Sequence, residues 1–363
     1  MRIAVDARPF EESPTGAGRV LEGLLAAWRR SFPRDSFVLL SPRPVLLPPP
    51  LDGDAALEVR LSPPLPGTLW LQTLAAGGAR RAGADLFLGS LAIVPALSTL
   101  PSIALVHDLT PVLFPEWHSR RNRLGFAPFI GATVRRAKRL VTVSAATRDD
   151  LVRLFPEAAA KTSVVPNGLV PPPADSGGEP PNGGRPFVLF LGTLEPRKNL
   201  PRLVEAMESI WDRRPDFPDL LLAGGEGWGL KGFRELLARS RHASRIGRTG
   251  YVSAAEGGRL LRHARLLAYP SLYEGFGLPP LEAMAVGTPV VGSSSSSLPE
   301  VIGDAGLLPD PSSVPAIAAA IERANDDDGW RATARAKGLT RSGAFTWKAA
   351  AEKFRALCAE ALA

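Results

Sequence analysis

The chain has 363 residues, 43 of them Lys or Arg and 36 Asp or Glu, which gives a formal net charge of +7. Its single cysteine, Cys358, excludes an intramolecular disulfide framework and any cysteine-rich metal site, which fits a reducing compartment. The sequence holds no run of 18 apolar residues, and a strand pattern follows Met1 at once, so we expect a cytoplasmic protein without a signal peptide.

Strand-like apolar runs alternate with helix-like segments along the whole chain. This order predicts an α/β fold in which parallel sheets are covered by helices on both faces. Because 363 residues is about twice a common domain length, we expect two such domains. The predicted strands lie near residues 2–7, 36–41, 57–62, 85–90, 102–107, 139–144 and 162–166 in the first half, and near 186–192, 219–224, 265–269, 289–293 and 306–309 in the second.

The two halves are separated by residues 171–184, which are rich in proline and glycine and offer few apolar side chains for packing. We interpret this stretch as the linker between a first domain, residues 1–174, and a second domain, residues 185–345. A last helix is predicted from about Thr346 to Leu362, within the C-terminal segment 346–363.

Residues 14–20, PTGAGRV, follow the opening strand and precede the first helix-like stretch. The segment lacks the third glycine and the strand spacing of the G-x-G-x-x-G fingerprint, which argues against NAD. Arg19 either contacts an anionic group such as a phosphate, or it is an ordinary arginine on the surface of a helix.

Asp52 and Asp54 form an Asp-x-Asp pair, a pattern that binds a metal ion in some enzymes. Here the pair lies in the proline-rich stretch 42–66 with no apolar strand before it, so we expect an exposed turn and no metal site.

His107 and Asp108 follow the predicted strand 102–107 at its carboxyl end, where open α/β sheets bind their ligands. His107 is expected to orient or polarise hydroxyl groups of a substrate. The alternative is a histidine at a strand end whose ring is bound to a neighbouring carbonyl.

Basic residues are concentrated in the first half, which holds 20 Lys and Arg against 15 Asp and Glu up to residue 175. Many of them flank a short apolar stretch formed by Leu124, Phe126, Phe129 and Ile130. They are Arg120, Arg121, Arg123, Arg135, Arg136, Lys138 and Arg139. The segment either rests on an anionic membrane or receives a lipid-phosphate acceptor, or it is a basic helix face with a buried apolar side. Nucleic acid is the weaker explanation, since no recognised binding module accompanies the charge.

In the second half, residues 187–193, FVLFLGT, read as a strand that ends in a turn of small residues, Gly192 and Thr193. Arg197 and Lys198 follow before the next helical stretch. At that position the two cations can neutralise a bound diphosphate, although an isolated Arg-Lys pair would be interpreted as a solvated face.

Residues 274–282, EGFGLPPLE, hold two carboxylates eight positions apart around a glycine-rich turn that leads into a helical pattern. The start of a helix attracts an anion, and Gly275 and Gly277 let the backbone come close to it. Glu274 and Glu282 cannot coordinate an anion, but each can accept hydrogen bonds from the hydroxyls of a sugar or a ribose. The segment therefore suggests a nucleotide-sugar site, whereas either carboxylate taken singly would be interpreted as a surface or first-turn acid.

This segment, followed by EAMAVGTPVV at residues 282–291, closely resembles the GT4 family of retaining glycosyltransferases. Other segments agree with the family in order and spacing, namely TGAGR at 15–19, VHD at 106–108, LGT at 191–193, EPRKN at 195–199 and GYV at 250–252. The resemblance implies the GT-B fold, in which two Rossmann-like domains face each other across a cleft. It places the donor on the second domain and the acceptor largely on the first, with the last helix crossing back to the first domain.

The family's functional residues carry over position by position. Glu274 would contact the donor sugar and Glu282 the nucleotide ribose, while the backbone of Gly275, Phe276, Gly277 and Leu278 would meet the sugar and the phosphate. The catalytic residues implied are His107, Glu274, Arg197 and Lys198. The remaining substrate-binding residues implied are Gly16, Gly18, Arg19, Gly192, Thr193, Tyr251 and Val252.

The resemblance implies transfer of a hexose from a nucleoside-diphosphate sugar to a saccharide or lipid-linked acceptor, as in cell-surface polysaccharide or glycolipid synthesis. It implies no cofactor and no metal ion, and an enzyme that is cytoplasmic or peripheral at the inner face of the membrane. GDP-mannose is the favoured donor, because the segments around residues 15–19, 106–109 and 195–199 look most like those of mannosyltransferases. A UDP sugar stays open as the donor, as does a nucleotide-sugar epimerase or hydrolase on the same fold.

Overall fold

The computed structural model describes residues 1–11, 16–175, 177 and 181–363, without the side chains of Arg121 and Asn122. Residues 14–15 of the first glycine-containing loop, and residues 176 and 178–180 of the predicted linker, therefore lie outside the described part. The chain forms two compact units, one made of Met1–Gly168 and Phe345–Ala363, the other of Leu169–Ala344. We refer to them as unit 1 and unit 2.

The described residues of unit 1 form seven strands, each at a position that the sequence predicted. They are β1 Arg2–Asp6, β2 Ser36–Ser41, β3 Leu57–Leu61, β4 Leu86–Gly89, β5 Ser102–Val106, β6 Arg139–Thr142 and β7 Thr162–Val164. All pair in parallel, in the order β3-β2-β1-β4-β5-β6-β7. The central strands β4 and β5 are buried along their whole length, as expected for a sheet with helices on both faces.

The helices of unit 1 connect these strands. They are α1 Gly16–Ser31, α2 Gly67–Trp70, α3 Ala76–Arg81, α4 Thr110–Leu113, α5 Arg120–Arg136 and α6 Ala145–Leu154, with a π-helical turn, Leu71–Ala75, between α2 and α3. Short 3-10 turns lie at Arg8–Phe10, Pro115–Trp117 and Pro156–Lys161.

The last helix of the chain also belongs to unit 1. This helix, Trp347–Leu362, is labelled α14 because it follows all the others, and its Thr346 side chain caps the first turn. The buried carboxylate of Asp35 accepts hydrogen bonds from the Trp28 indole at 2.9 Å and from Arg355 of the helix at 2.7 Å. A Cβ on Gly23 of α1 would lie 2.2 Å from the ring of Trp347, so only glycine fits beneath that ring. Through these contacts α14 packs against α1 and the turn that follows α1.

Unit 2 contains six strands: β8 Phe187–Leu191, β9 Asp219–Ala223, β10 Ile246–Gly250, β11 Leu266–Ala268, β12 Val290–Val291 and β13 Gly306–Leu307. They also pair in parallel, in the order β10-β9-β8-β11-β12-β13. Five of the six were predicted, and β10 was not. It reads IGRTG and is largely exposed at the edge of the sheet, so no apolar run announces it.

The helices of unit 2 are α7 Leu200–Trp211, α8 Lys231–Arg239, α9 Ala254–His263, α10 Leu278–Ala285, α11 Leu298–Ile302, α12 Val314–Asp326 and α13 Asp328–Ser342. Short 3-10 turns lie at Pro196–Lys198, Ala243–Arg245 and Gly303–Ala305. Within the residues described for both units, no helix is both long and apolar enough to cross a bilayer.

The strand order reverses once in each sheet, between β1 and β4 in unit 1 and between β8 and β11 in unit 2. Open parallel α/β sheets bind ligands at the carboxyl ends of the strands beside such a reversal. The loops that follow these four strands are therefore where a site is expected.

Candidate active site

The loop after β8 begins with a close approach of two backbone segments. Gly192 and Gly224, which follow β8 and β9, have φ angles of +143° and +144°. A Cβ on Gly224 would lie 2.0 Å from the carbonyl oxygen of Gly192, so a side chain is excluded there. Gly224 was missed by the sequence analysis, although two glycines directly after a buried strand are a recognisable signal.

The predicted cations lie on the 3-10 turn that follows, and they meet the predicted acid of the next loop. Lys198 Nζ donates to Glu274 Oε1 at 2.6 Å, and an Arg197 Nη1 group pairs with the other oxygen, Oε2. Arg197 Nε also pairs with Glu195 at 2.6 Å. The structure thus brings Arg197, Lys198 and Glu274 into direct contact, and adds Glu195 as a second carboxylate.

These four side chains, which we call the charge cluster, balance two cations against two carboxylates. Burial raises the pKa of Glu274, but the charges of Arg197 and Lys198 outweigh that effect and bring the pKa down to about 2. Burial and the neighbouring Arg197 lower the pKa of Lys198, while Glu274 and Glu195 oppose that change. Glu274 is therefore ionised at neutral pH and acts only as a hydrogen-bond acceptor.

Tyr269, just beyond β11, forms the floor of the charge cluster and was not singled out from the sequence. Its hydroxyl accepts a hydrogen bond from Lys198 Nζ at 2.6 Å, and its ring stacks on Phe190 of β8 with 5.7 Å between centroids. Burial and then the charge of Glu274 raise its pKa well above the usual value, so the phenol stays neutral. In the sequence it looks like one more apolar residue of a buried strand.

The turn from Glu274 to α10 is fixed by neighbouring serines. The amide of Glu274 donates to Ser296 Oγ at 2.8 Å, and Ser297 Oγ donates to the carbonyls of Glu274 and Phe276 at 2.9 and 2.8 Å. Gly277 has a φ of +115°, which a side chain would strain. These serines lie about 20 residues further along the chain, so the sequence motif does not contain them.

The helix start at α10 offers fewer N–H groups than the sequence analysis assumed. Residues 279 and 280 are prolines, which carry no N–H, so two of the four donors of a normal helix start are missing. Any donors for a phosphate here come from Gly277, Leu278 and the turn before them.

The other predicted residues of unit 2 lie on the same edge of its sheet or just inside it. Glu282 lies in the second turn of α10 and is buried, whereas Thr193 is exposed at the end of β8. Tyr251 directly follows β10, and 67% of its surface is exposed; Val252 next to it is partly buried. The aromatic ring is thus accessible to a planar ligand.

In unit 1, His107 lies where predicted, directly after β5. Its Nε2 atom is 2.8 Å from the carbonyl oxygen of Ser90, whose hydroxyl donates to the carbonyl of Asp6 at 2.6 Å. Because a carbonyl can only accept, Nε2 carries the proton and Nδ1 of the neutral ring has the lone pair. Burial lowers the pKa of His107, against the opposing effects of Ser90 and Asp108, which favours the neutral ring. The contact with a neighbouring carbonyl is the alternative raised from the sequence, and it leaves Nδ1 as a possible acceptor.

Asp6 and Arg8, after β1, form a second polar feature at this edge that the sequence analysis did not identify. Arg8 donates from Nε and Nη2 to the two oxygens of Asp6, at 2.8 and 2.6 Å. Burial alone would lower the pKa of Arg8, but Asp6 raises it overall. An Asp at a strand end with an Arg two residues later is the signal that was available.

The predicted loop residues of α1 are only partly described, since Thr15 lies outside the described residues. Gly16 is the first residue of α1 and is exposed, Gly18 is buried and Arg19 is partly buried. Burial raises the pKa of Glu22, one turn later, and Arg19 opposes that shift.

The basic segment of unit 1 does not form one continuous face. Its two groups of arginines lie at opposite ends of α5, whose 17 residues span about 25 Å. Arg139 pairs with Glu360 at 3.0 Å. Phe126, Phe129 and Ile130 pack into the core, as the buried-side alternative expected, whereas Leu124 is 69% exposed.

Asp54 belongs to the Asp-x-Asp pair that we do not interpret as a metal site, and its carboxylate has partners in the protein. Its carboxylate pairs with Arg29 at 2.8 Å and accepts a hydrogen bond from the amide of Ala56 at 2.9 Å. The Ala56 contact is local to the turn, whereas Arg29 lies on α1, and the Arg29 bond is the main cause that lowers the pKa of Asp54.

Sequence similarity to known protein families extends over most of the chain. The family profile described as "Glycosyltransferase Family 4" matches residues 15–171, and the profile described as "Glycosyl transferases group 1" matches residues 173–340. The boundary between the two profiles falls close to the boundary between the two units, at Gly168 and Leu169.

Two relatives from Escherichia coli are mannosyltransferases by name. The chain is 35% identical to O-antigen chain mannosyltransferase B over 256 residues, which cover 68% of this chain and 67% of that protein. It is 32% identical to serotype-specific mannosyltransferase WbdA over 174 residues, 44% of this chain and 20% of that protein. The chain thus spans two thirds of the first relative and a fifth of the second.

Among solved structures, sucrose-phosphate synthase from Thermosynechococcus elongatus has the same fold. The two chains superpose with a TM-score of 0.78 and 21% sequence identity, over 99% of this chain and 98% of the other. With two parallel α/β sheets of Rossmann strand order in this chain, the similarity identifies the GT-B fold. The chain therefore belongs to the GT4 family of glycosyltransferases and is a mannosyltransferase-like member of it.

Proposed function

We propose that this enzyme transfers mannose from GDP-mannose to a hydroxyl of a saccharide or lipid-linked acceptor in the synthesis of a cell-surface polysaccharide. The observation that carries the proposal is the charge cluster at the strand-order reversal of unit 2, where Glu274 is ionised between Arg197 and Lys198. The names of the two E. coli mannosyltransferases support mannose as the sugar.

The charge cluster suits a nucleoside-diphosphate sugar because its two kinds of charge have separate tasks. Arg197 and Lys198 stabilise the negative charge that develops on the diphosphate as the sugar leaves. Glu274 repels the phosphates but accepts hydrogen bonds from the sugar hydroxyls, which orients the ring beside them. Its ion pairs with both cations hold the carboxylate in place before the donor binds.

We propose that the reaction retains the configuration of the anomeric carbon. Glu274 is the carboxylate that would be considered first as a nucleophile. Its ion pairs with Arg197 and Lys198 make it a poor nucleophile. Attack by the acceptor hydroxyl on the face from which the diphosphate leaves lets the departing phosphate take the acceptor proton. In that scheme His107 orients a substrate hydroxyl through its Nδ1 lone pair, and it neither attacks the sugar nor carries a charge.

We also propose that no divalent cation takes part. The charge that a metal ion would supply to the diphosphate is provided by two side chains that are already ordered, Arg197 and Lys198. Activity is therefore expected to be unchanged in excess EDTA.

The test is product formation from GDP-mannose with octyl α-mannoside as the acceptor, in EDTA, with UDP-glucose in a parallel reaction. The proposal expects mannosyl transfer from GDP-mannose alone, and an α-linked product by the anomeric coupling in its NMR spectrum. Transfer from UDP-glucose instead would overturn the donor, and a β-linked product would overturn retention. Release of free mannose, or a changed sugar on the nucleotide, in place of transfer would identify a hydrolase or an epimerase.

We further propose that the enzyme meets a lipid-linked acceptor at an anionic membrane, through the outer side of α5. Leu124 on α5 and Leu69 on α2 are exposed, and the Thr68 hydroxyl donates to the carbonyl of Gly125 at 2.8 Å, which places the two helices side by side. Arg120 lies one turn before Leu124 and is also exposed. Exposed apolar side chains flanked by cations suit an anionic lipid surface.

Sedimentation with phosphatidylglycerol vesicles tests this contact. We expect salt-sensitive binding by the wild type, and its loss when Leu69 and Leu124 are both replaced by Glu. Leu339→Glu, at an exposed leucine of unit 2, is the matched control and should bind normally. Equal binding of all three proteins, or none by the wild type, would contradict the contact.

A further inference from the structure

Unit 2 has a cavity at the edge of its sheet opposite to the charge cluster. Its volume is about 560 Å³, within the range of small-molecule sites. Phe187, Arg265 and Pro289 line it at the amino-terminal ends of β8, β11 and β12. The charge cluster follows the carboxyl ends of β8 and β11, and the five residues of β8 separate the two edges by roughly 17 Å. A ligand in this cavity is therefore not the donor sugar.

The cavity is lined by far more positive than negative charge. Five arginines and one aspartate take part in its wall, together with His263. They are Arg185, Arg262, Arg265, Arg331, Arg335 and Asp328. The charge cluster, by contrast, balances its cations with two carboxylates. Like charges gathered on one wall repel each other unless an anion lies between them.

Two of these arginines lack a compensating partner. Arg335 is exposed, and its guanidinium makes no hydrogen bond or ion pair with any residue that the structure describes. Arg262 donates from Nη2 to the carbonyl of Pro172 at 2.9 Å, but its buried Nη1 has no partner in the described chain. Because that nitrogen is out of contact with solvent, the unpaired donors that a ligand can reach are those of Arg335.

The other three arginines have partners but stand close together: Arg185 pairs with Asp219, Arg265 donates to Asn325, and Arg331 donates to the Asn325 carbonyl. Arg331 lies one helical turn before Arg335 on α13, an arrangement of like charges that disfavours the helix. Burial and then the charge of Arg265 lower the pKa of Arg331. Asp328 offsets part of this charge through its ion pair with Arg331, but it is 86% exposed to solvent. Gly287, with a φ of +78°, leaves the space in which Arg335 lies, since a Cβ there would be 3.0 Å from its Nε.

From these features we infer that the cavity is a second binding site, separate from the active site, for a phosphorylated small molecule that carries at least two negative charges. Arg335 supplies unpaired donors for its phosphate groups, and arginine forks match phosphate oxygens in geometry. The volume leaves room for more than a bare phosphate, and Val286, Phe187 and Pro289 offer apolar contacts to the remainder. A ligand bound here would lie away from the reacting atoms.

The test is calorimetric titration of pyrophosphate into the wild type and three variants, each with and without saturating GDP. The variants are Arg335→Ala, Arg335→Gln and, as the matched control, Arg239→Ala, an arginine on α8 that is 79% exposed and lies outside the cavity wall. GDP occupies the proposed donor site, so any pyrophosphate binding that persists in GDP belongs elsewhere.

We expect pyrophosphate binding that persists in GDP, weakens at least tenfold in both Arg335 variants and is unchanged in Arg239→Ala. Because Arg335→Ala removes a like charge beside Arg331, the variant should melt no lower than the wild type when no ligand is present. Equal binding by the Arg335 and Arg239 variants, or no binding that survives GDP, would overturn the inference. The GDP titration itself reports on the proposed donor site, so failure of either proposal is seen separately.

Discussion

The carboxyl edges of the two sheets are alike in topology and differ in the groups that they offer to a ligand. In unit 2 the loops after β8 and β11 carry a buried charge cluster, in which Arg197 and Lys198 keep Glu274 ionised. In unit 1 the loop after β5 carries His107, a neutral ring in contact with the Ser90 carbonyl. Unit 2 thus positions the charge cluster at its strand-order reversal, whereas in unit 1 the reversal carries the Asp6–Arg8 ion pair and the neutral His107 lies one strand further on, after β5.

This difference indicates which part of the substrate a charged group and a neutral group each serve. A leaving diphosphate changes its charge during the reaction, so prearranged cations lower the barrier. A sugar hydroxyl changes little in charge, and a neutral acceptor orients it without the cost of burying an ion. The comparison predicts that substitutions in unit 2 affect the chemical step and nucleotide binding strongly, and that substitutions in unit 1 have smaller effects.

The largest effect is expected from Glu274→Gln, which keeps the shape of the side chain and removes its charge. Arg197 and Lys198 then lose their shared partner, and the donor hydroxyls lose an anionic acceptor. Turnover at saturating donor should fall about 10²- to 10³-fold. Steady-state kinetics with GDP-mannose measures this, and turnover within threefold of the wild type would remove Glu274 from the site.

Glu282→Ala should act on binding more than on turnover. If this buried carboxylate holds the nucleotide ribose, its loss removes hydrogen bonds to a charged group and weakens GDP about tenfold or more. Turnover at saturating GDP-mannose should change only a few fold, because the charge cluster remains. Calorimetry with GDP decides the matter, since unchanged affinity would show that Glu282 is an ordinary buried helix acid.

A smaller effect is expected from His107→Gln, which can still accept a hydrogen bond. Turnover should fall about tenfold, less than for Glu274→Gln, because the change disturbs the orientation of a substrate hydroxyl and removes no charge. The pKa of His107 is lower in the folded protein than in the unfolded chain, where it is about 6.5. The neutral ring therefore stabilises the fold above about pH 6.5, and this stabilisation is lost as the pH falls further.

The same variant therefore has a second readout. The melting temperature of the wild type should fall between about pH 7 and pH 5 more steeply than that of His107→Gln, which has no imidazole to protonate. Parallel curves for the two proteins would show that His107 titrates as it does in an unfolded chain. A turnover loss as large as that of Glu274→Gln would break the contrast between the two edges.

Tyr251→Ala should have the smallest effect, because the ring is exposed and would contribute only stacking on a nucleotide base. Loss of such a contact weakens GDP about three- to tenfold. Tyr251→Phe keeps the ring and should bind like the wild type. If both variants bind GDP normally, the residue lies outside the base-binding region.

The sequence was most informative where the predicted functional residues are close together in the chain. Glu274, Gly275 and Gly277 are close in the chain, so their pattern predicted a turn, a helix start and a hydroxyl acceptor together. All of the predicted strands are present, and the buried ones, such as β5 and β8, appear as continuous apolar runs. The edge strand β10 has no such run and was missed.

What the sequence could not predict are contacts between distant segments. Lys198 and Glu274 are 76 residues apart, so their ion pair depends on the adjacency of β8 and β11, which no local pattern states. The tautomer of His107 follows from Ser90, 17 residues earlier. The basic cavity gathers arginines from the end of α9 and the start of α13, which are charged surface positions when considered one at a time.

The central claim is that the charge cluster binds a nucleoside diphosphate without a metal ion. The most direct measurement is calorimetric titration of GDP, UDP and ADP in EDTA into the Arg335→Ala variant, where the basic cavity is disabled, and into the same variant with Arg197→Ala added. The account predicts one GDP per chain, UDP and ADP at least tenfold weaker, and a loss of GDP affinity when Arg197 is replaced. Absence of nucleotide binding, binding that requires Mg²⁺, or equal GDP affinity with and without Arg197 would contradict it.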